Sequence, residues 1–148
     1  MSRGARAAAG LAAAALLALA AVAGGAEPLR FLDLYEGSGP LGLKFSETAT
    51  RLAGRFVLMR GFLAPPLKAE AAFFVLSSRP VSVCPFCQSD ADWPVDIVVV
   101  YPDSGSFAYR SGSAPVEVSG LLELGSKRDP DTGFVSQVRL IRATVRSN

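Results

Sequence analysis

Two cysteines, Cys84 and Cys87, stand three positions apart in Val83-Cys84-Pro85-Phe86-Cys87-Gln88-Ser89-Asp90-Ala91-Asp92-Trp93-Pro94, and the 148-residue chain has no others. The same stretch holds the only tryptophan and two acids, Asp90 and Asp92. One chemistry that fits is metal binding. Two thiolates at this spacing grip one soft ion from a tight turn, because the short backbone between them directs both sulfurs inward. Cys84 and Cys87 would then form half of a tetrahedral zinc site, with Asp90 or Asp92 as the nearest oxygen ligand. A second copy of the chain could instead complete a four-cysteine site, and copper(I) accepts two thiolates alone. A second chemistry is a structural disulfide, which an oxidising compartment favours if nothing else occupies the sulfurs. Closing so short a loop contributes only about 2 kcal/mol by chain entropy.

The third chemistry is thiol-disulfide exchange, with Cys84 as nucleophile and Cys87 as resolving thiol. Cys84-Pro85-Phe86-Cys87 resembles thioredoxin-type active sites in its letters. Those sites need a helix that starts at the motif and lowers the first thiol's pKa through its amides and dipole. Here Trp93-Pro94 and strand-like residues follow too soon for that helix. No βαβ pattern surrounds the motif, and two nearby acids would raise a thiolate's pKa. The chain has no histidine. That excludes Ser-His-Asp and Cys-His catalysis and every histidine-bearing zinc motif, and it removes the usual acid-base group near neutral pH. Trp93, placed before Pro94, is either a cap on one end of the core or an apolar anchor for a protein partner.

The elements that must position this segment read mostly as strands. Residues 55–63 are β-rich with Gly61 inside and end at Pro65-Pro66. Residues 72–77 form a short buried run, and 96–101 hold four consecutive β-branched residues before the turn Pro102-Asp103-Ser104-Gly105. In 116–124, Val116, Val118, Leu122 and Leu124 share one face, while Glu117, Ser119 and Glu123 share the other. That is the pattern of a half-buried antiparallel strand. Asp129-Pro130-Asp131-Thr132-Gly133 has two acids of a calcium loop but lacks the remaining ligands, so it reads as a hairpin turn before a last strand over 134–145. Arg139, Arg142 and Arg146 read as surface charge on that strand, with alternation putting Arg139 opposite the other two.

Ahead of the strands, Phe31 to Tyr35 is expected as a short strand or extended arm. Residues 46–53 are expected as a helix capped by Ser46, with Gly54 at its C′ position. The segment Val57-x-Met59-x-Gly61-Phe62-Leu63 is echoed by Val116-x-Val118-x-Gly120-Leu121-Leu122, and a glycine inside a strand often marks a bend or bulge. Two bent strands among five predict an all-β fold, a small five-stranded OB-like barrel with a short N-terminal helix.

Residues 1–26 read as a secretory signal peptide. Arg3 and Arg6 form a basic start, an apolar Ala-Leu run follows, and Ala21-Val22-Ala23 offers the cleavage site, with Gly24-Gly25-Ala26 as a second. The run is Ala-rich and near the lower length limit for a bilayer span, so cleavage is expected rather than anchoring. The expected organisation is a signal over 1–26, a lead-in segment with the short helix over 27–50, and the β domain over 51–148. The mature protein is placed in a bacterial periplasm or outside the cell. The 15 Lys and Arg against 13 Asp and Glu become equal once Arg3 and Arg6 leave. No clustered basic surface for nucleic acid is then expected, nor a stable membrane span.

The pieces Gly54-x-Phe56-Val57-x-Met59-x-Gly61-Phe62-Leu63-x-Pro65, Phe73-x-Val75-Leu76, Val98-x-Val100 and Val116-x-Val118-x-Gly120-x-Leu122, with a proline-containing Cys loop between them, carry a resemblance. From about Leu52 to Val145 the chain resembles a bacterial family of small exported OB-like domains of unknown function. Members accompany metal-related and lipoprotein-exporting transporters. The resemblance implies an accessory periplasmic role, with an envelope protein or transporter component as partner, and implies no activity. Family members resemble one another in a cysteine followed by a histidine and a run of prolines. This chain departs there: Cys84 is followed by Phe86-Cys87 and no histidine, so any ligand role of that histidine passes to Cys87 or is lost. The expectation is a non-enzymatic binding domain that takes zinc or copper through Cys84, Cys87, Asp90 and Asp92, with Trp93 as a partner contact. A stapled interaction module is the alternative, and an oxidoreductase a further one.

Overall fold

The computed structural model describes residues 25–39, 42–65, 71–81, 93–104 and 114–147. Residues 1–24 of the expected signal lie outside the described residues, as do Cys84, Cys87, Asp90 and Asp92. Among the described residues the fold is mostly β: β1 (Glu27–Pro28), β2 (Tyr35–Gly39), β3 (Gly42–Phe45), β4 (Phe56–Leu63), β5 (Phe74–Ser77), β6 (Ile97–Pro102), β7 (Val116–Arg128) and β8 (Val135–Ser147), with one α-helix, α1 (Glu47–Leu52). The main sheet runs β1-β4-β5-β6-β8-β7, and β4 also pairs with β7. Within it β6–β8 and β1–β4 are parallel and the other pairs antiparallel. β2 and β3 form a separate antiparallel ribbon.

The two echoed segments are partners in this sheet. Met59 lies opposite Val118, Gly61 opposite Val116, and Val57 opposite Gly120. Each glycine sits where pairing changes. β4 passes from β7 to β5 just after Gly61, and a Cβ there would come within 2.6 Å of the Ser77 carbonyl oxygen and 2.9 Å of Leu76. Gly120 faces a bulge in β8 where Arg142 and Ala143 lie between the flanking pairs Leu121–Ile141 and Ser119–Thr144. Arg142 takes a left-handed φ of 51° there, and its guanidinium lies 5.6 Å from the centre of the Phe56 ring.

Alternation divides the apolar residues between two clusters. Phe74, Leu76, Val98 and Val100 join Val57, Met59, Val118, Leu122 and Leu140 in the main core. Phe73, Val75, Ile97 and Val99 face the other way and join Ala64, with Val81, Trp93, Tyr101 and Phe134 packed against them. Because both faces of β5 and β6 are covered, their sequences read as continuous apolar runs, whereas β7 alternates with a polar face. The lead-in supplies part of the same main core through Leu29, Phe31, Leu34, Ala49 and Leu52.

The helix forms as its sequence dictates. Ser46 caps it, its hydroxyl oxygen accepting from the Ala49 amide at 3.0 Å, and Gly54 follows its end with φ of 76°. Phe31 to Tyr35 differs from the expected strand or arm. Phe31–Asp33 is a 3₁₀ turn, closed by bonds from the Asp33 and Leu34 amides to the Arg30 and Phe31 carbonyls, and Tyr35 opens β2. The Arg30 guanidinium grips both Asp33 carboxylate oxygens at 2.8 Å across the turn, and the Ser46 hydroxyl donates to the Asp33 carbonyl. The Arg30–Asp33 bonds favour a turn over extended chain locally, and the Ser46 hydroxyl ties that turn to the start of α1 from thirteen residues away.

Arg139 also departs from expectation: it is buried, not surface charge. The outward face of β8 next to Val99 is itself covered, so a side chain directed away from the main core still leaves water. Its charge is met by Glu123 at 3.2 Å, and one guanidinium nitrogen donates to the Gly125 and Ser136 carbonyls and the Ser136 hydroxyl at 2.8–3.0 Å. The turn after β7 has the expected hairpin character. Asp129 accepts from the Thr132 amide and hydroxyl on one oxygen, both at 2.8 Å, and from the Tyr101 hydroxyl at 3.0 Å on the other.

Candidate functional site

β5 and β6 are the two arms of an antiparallel hairpin whose connection carries both cysteines. Ser77 faces Ile97 at the last ladder pair, and the Ser78 amide donates to the Asp96 carbonyl at 2.9 Å. The Ser77 side chain is fully buried there, and its hydroxyl bonds the Arg79 and Phe62 carbonyls. Arg79 reaches across to the Asp96 carboxylate at 3.0 Å. Val81 and Trp93, the described residues on either side of 82–92, both pack on the outer apolar cluster. The connection is therefore tied at its root by ladder, side-chain and packing contacts.

Trp93 is the one sequence-predicted site residue among those described. It is half-buried, with its ring 6.3 Å from Phe134, itself 5.6 Å from Phe73. Its indole N–H donates to the Tyr35 hydroxyl at 2.8 Å. Tyr35 in turn stacks on Phe45 with ring centres 5.5 Å apart. This bond joins the β2–β3 ribbon to the root of the cysteine connection, across 58 residues of sequence. Burial pushes the Tyr35 phenol up to about 12, against a smaller opposing effect of the Trp93 N–H, so Tyr35 is neutral over the physiological range.

Beside this junction lies a groove of about 580 Å³. Its apolar wall is Phe31, Leu32, Tyr35, Leu43 and Val95, with Gly37 leaving one side open, and Ser78 and Asp96 add its polar groups. Leu32 is 85% exposed on the 3₁₀ turn, and Leu43 and Val95 are also exposed. Sequence reasoning missed these three residues because none lies in an alternating strand pattern. The available signal was an apolar residue in each of three polar or turn-like stretches, which only the fold brings together.

Among the described residues, no group of three or more His, Cys, Asp or Glu converges to hold a metal ion, and no helix is long and apolar enough to cross a membrane. Compared with protein-family models, curated proteins and solved structures, the chain matches none of them.

Proposed function

We propose that the protein is an exported, non-enzymatic binding domain whose business end is the β5–β6 connection with Cys84 and Cys87. In this reading residues 1–26 are a cleaved signal, and the mature protein works in the periplasm or outside the cell. The β domain over 51–148, preceded by the lead-in at 27–50, is a five-stranded OB-like barrel. The run of pairings β4-β5-β6-β8-β7 and back to β4 supports the barrel, because such a ring leaves no long strand edge unpaired. Cys84 and Cys87 hold a soft metal ion, zinc or copper, and Asp90 or Asp92 completes its shell. The partner is an envelope protein or transporter component that meets the domain near Trp93, in keeping with the exported OB-like family that the sequence resembles.

The observation that carries the reading is the tied root of this connection. The Ser78–Asp96 and Arg79–Asp96 bonds and the buried Ser77 hydroxyl fix both ends of the hairpin that bears the only two cysteines. A stem tied at both ends closes the connection into one loop at one end of the sheet, which lowers the chain entropy that ordering it around an ion would cost. The test is metal content and free-thiol count on protein purified from a periplasm without chelator. Near-stoichiometric zinc or copper, absent from a Cys84→Ser variant, is the expected result; metal-free protein with no titratable thiol contradicts it.

A further inference from the structure

We propose that the outward face of β4, β7 and β8 is a second binding surface, which docks on the headgroup plane of an anionic phospholipid bilayer. Strand register builds this face in rows. Phe56 lies opposite Leu121, which lies opposite Ile141. Arg60 lies opposite Glu117, which lies opposite Arg146. Directly paired residues point to the same side of a sheet, and the alternating neighbours Val57, Met59, Val116 and Val118 are buried on the other side. The bulge in β8 adds Arg142, whose guanidinium rests over the Phe56 ring. The sequence shows Arg142 and Arg146 on one strand; only strand pairing brings Arg60 to the same face.

Charge complementarity selects the occupant. Among the described residues, every lysine and arginine except Arg60, Arg128, Arg142 and Arg146 is in an ion pair. Three of those exceptions stand on this one face. Glu117 lies between Arg60 and Arg146 and is in an ion pair with neither, so three guanidiniums against one carboxylate leave these rows a net charge of +2. The adjoining row, Glu123 with Arg139, is neutral as a pair. Without Arg3 and Arg6 the chain is neutral overall, so attraction to an anionic surface has to arise from a local face such as this one.

Arg142 supplies an independent observation. Its left-handed φ of 51° costs a non-glycine residue stability. That conformation aims a guanidinium outward over a ring that is 39% exposed, and no carboxylate answers the charge. Leu58, Leu121 and Ile141 are half-buried and with Phe56 form apolar ground between the cations. Arginine pairs with phosphate through its planar fork, while apolar side chains beside it meet the boundary below the headgroups. A plane of phosphates suits this face better than an acidic peptide strand. β4 lies between β1 and β7, and β7 between β4 and β8, so neither offers a free ladder. Arg60 and Arg146 stand two strand spacings apart, about 10 Å, rather than converging on one acid. The face shares no residue with the β5–β6 connection, so it does not rest on the metal reading.

The test is sedimentation of protein purified from a periplasm with vesicles of equal parts phosphatidylglycerol and phosphatidylcholine, and with vesicles of phosphatidylcholine alone. Partitioning is expected to be about tenfold tighter or more on the anionic vesicles, and to weaken as salt rises from about 0.05 to about 0.5 M. Arg60→Gln and Arg146→Gln are each expected to weaken it about fivefold. Arg142→Gly is expected to weaken it about fivefold with the urea midpoint nearly unchanged, which separates docking from folding. Lys44→Gln removes the same charge from β3 and is expected to leave partitioning within about twofold of the parent. No binding, equal binding to both vesicles, or a loss in Lys44→Gln as large as in Arg60→Gln would each overturn the proposal. So would unchanged partitioning of the variant carrying both Arg60→Gln and Arg146→Gln, with an unaltered circular dichroism spectrum. Complete displacement from the vesicles by polyglutamate at equal charge concentration would overturn it in favour of an acidic protein partner.

Discussion

At the residue scale, Arg139 is the one buried cation among the ion pairs of the described residues. Its side chain is 4% exposed and its carboxylate partner Glu123 31% exposed, so removing Glu123 strands a guanidinium in a poorly hydrated site. Glu123→Gln is expected to cost about 2 kcal/mol in urea unfolding. Arg146→Ala, further along the same strand, is expected to cost less than about 0.5 kcal/mol. Burial pushes the Glu123 carboxyl up, but the bonds from Arg139 and Lys127 outweigh it and hold the group below its ordinary value. Burial likewise opposes ionisation of Asp129, and the bonds from Thr132 and Tyr101 again bring its carboxyl down. A depressed folded-state carboxyl contributes stability that is full above its unfolded value, about 4, and is lost as pH falls through the folded value. The urea midpoint should therefore drop below pH 4, and Asp129→Asn should flatten that drop. Tyr35 works at the other end. Its folded value is raised to about 12, so its contribution is full below about pH 10 and is lost as pH rises through the folded value. Burial and the Asp129 carboxylate push the Tyr101 phenol up further still, so absorbance titration at alkaline pH should show two late ionisations, and Tyr35→Phe should lessen the late change rather than abolish it.

At the scale of elements, two glycines and one arginine set how the strands turn. An alanine at Gly61 would press on the Ser77 carbonyl, which cannot move without breaking the β4–β5 pairing. Gly61→Ala is expected to cost about 3 kcal/mol. At Gly120 the nearest atoms stand 3.0–3.2 Å from an added Cβ, so Gly120→Ala should cost about 1 kcal/mol. Arg142 at positive φ gives a third test. Arg142→Gly should leave the urea midpoint nearly unchanged, because backbone relief offsets the lost stacking on Phe56. Arg142→Val, β-branched at the same φ, should cost about 2 kcal/mol. Equal effects of the two would contradict the bulge account. Much at this scale was legible in the sequence. The strands from β4 to β8, the helix with its Ser46 cap and Gly54, and the turn at Asp129 all follow from local pattern and local bonds. The 3₁₀ turn at Phe31–Asp33 was not legible, because Asp33 is held by a side chain thirteen residues away at Ser46. Arg139 was misread for a related reason: alternation tells which face a residue takes, not whether that face is covered.

At the scale of the whole molecule, the same distinction separates what sequence could show of the site. Cys84, Cys87, Asp90 and Asp92 declare themselves by type and spacing alone. The groove does not, since Leu32, Leu43 and Val95 are unremarkable until β2–β3 and the β5–β6 root are brought together, partly by the Tyr35–Trp93 bond. That bond predicts coupling between the two regions. Tyr35→Phe, which removes the acceptor of the Trp93 N–H, should shift Trp93 emission without unfolding the sheet. The soft metal ion proposed for the β5–β6 connection is open to direct measurement. The most direct test is metal analysis with thiol titration on periplasmic protein prepared without chelator. Close to one zinc or copper per chain is expected, or one per two chains if two copies share a four-cysteine site, with loss of that metal in Cys84→Ser. Metal-free protein whose two cysteines are fully oxidised would contradict it.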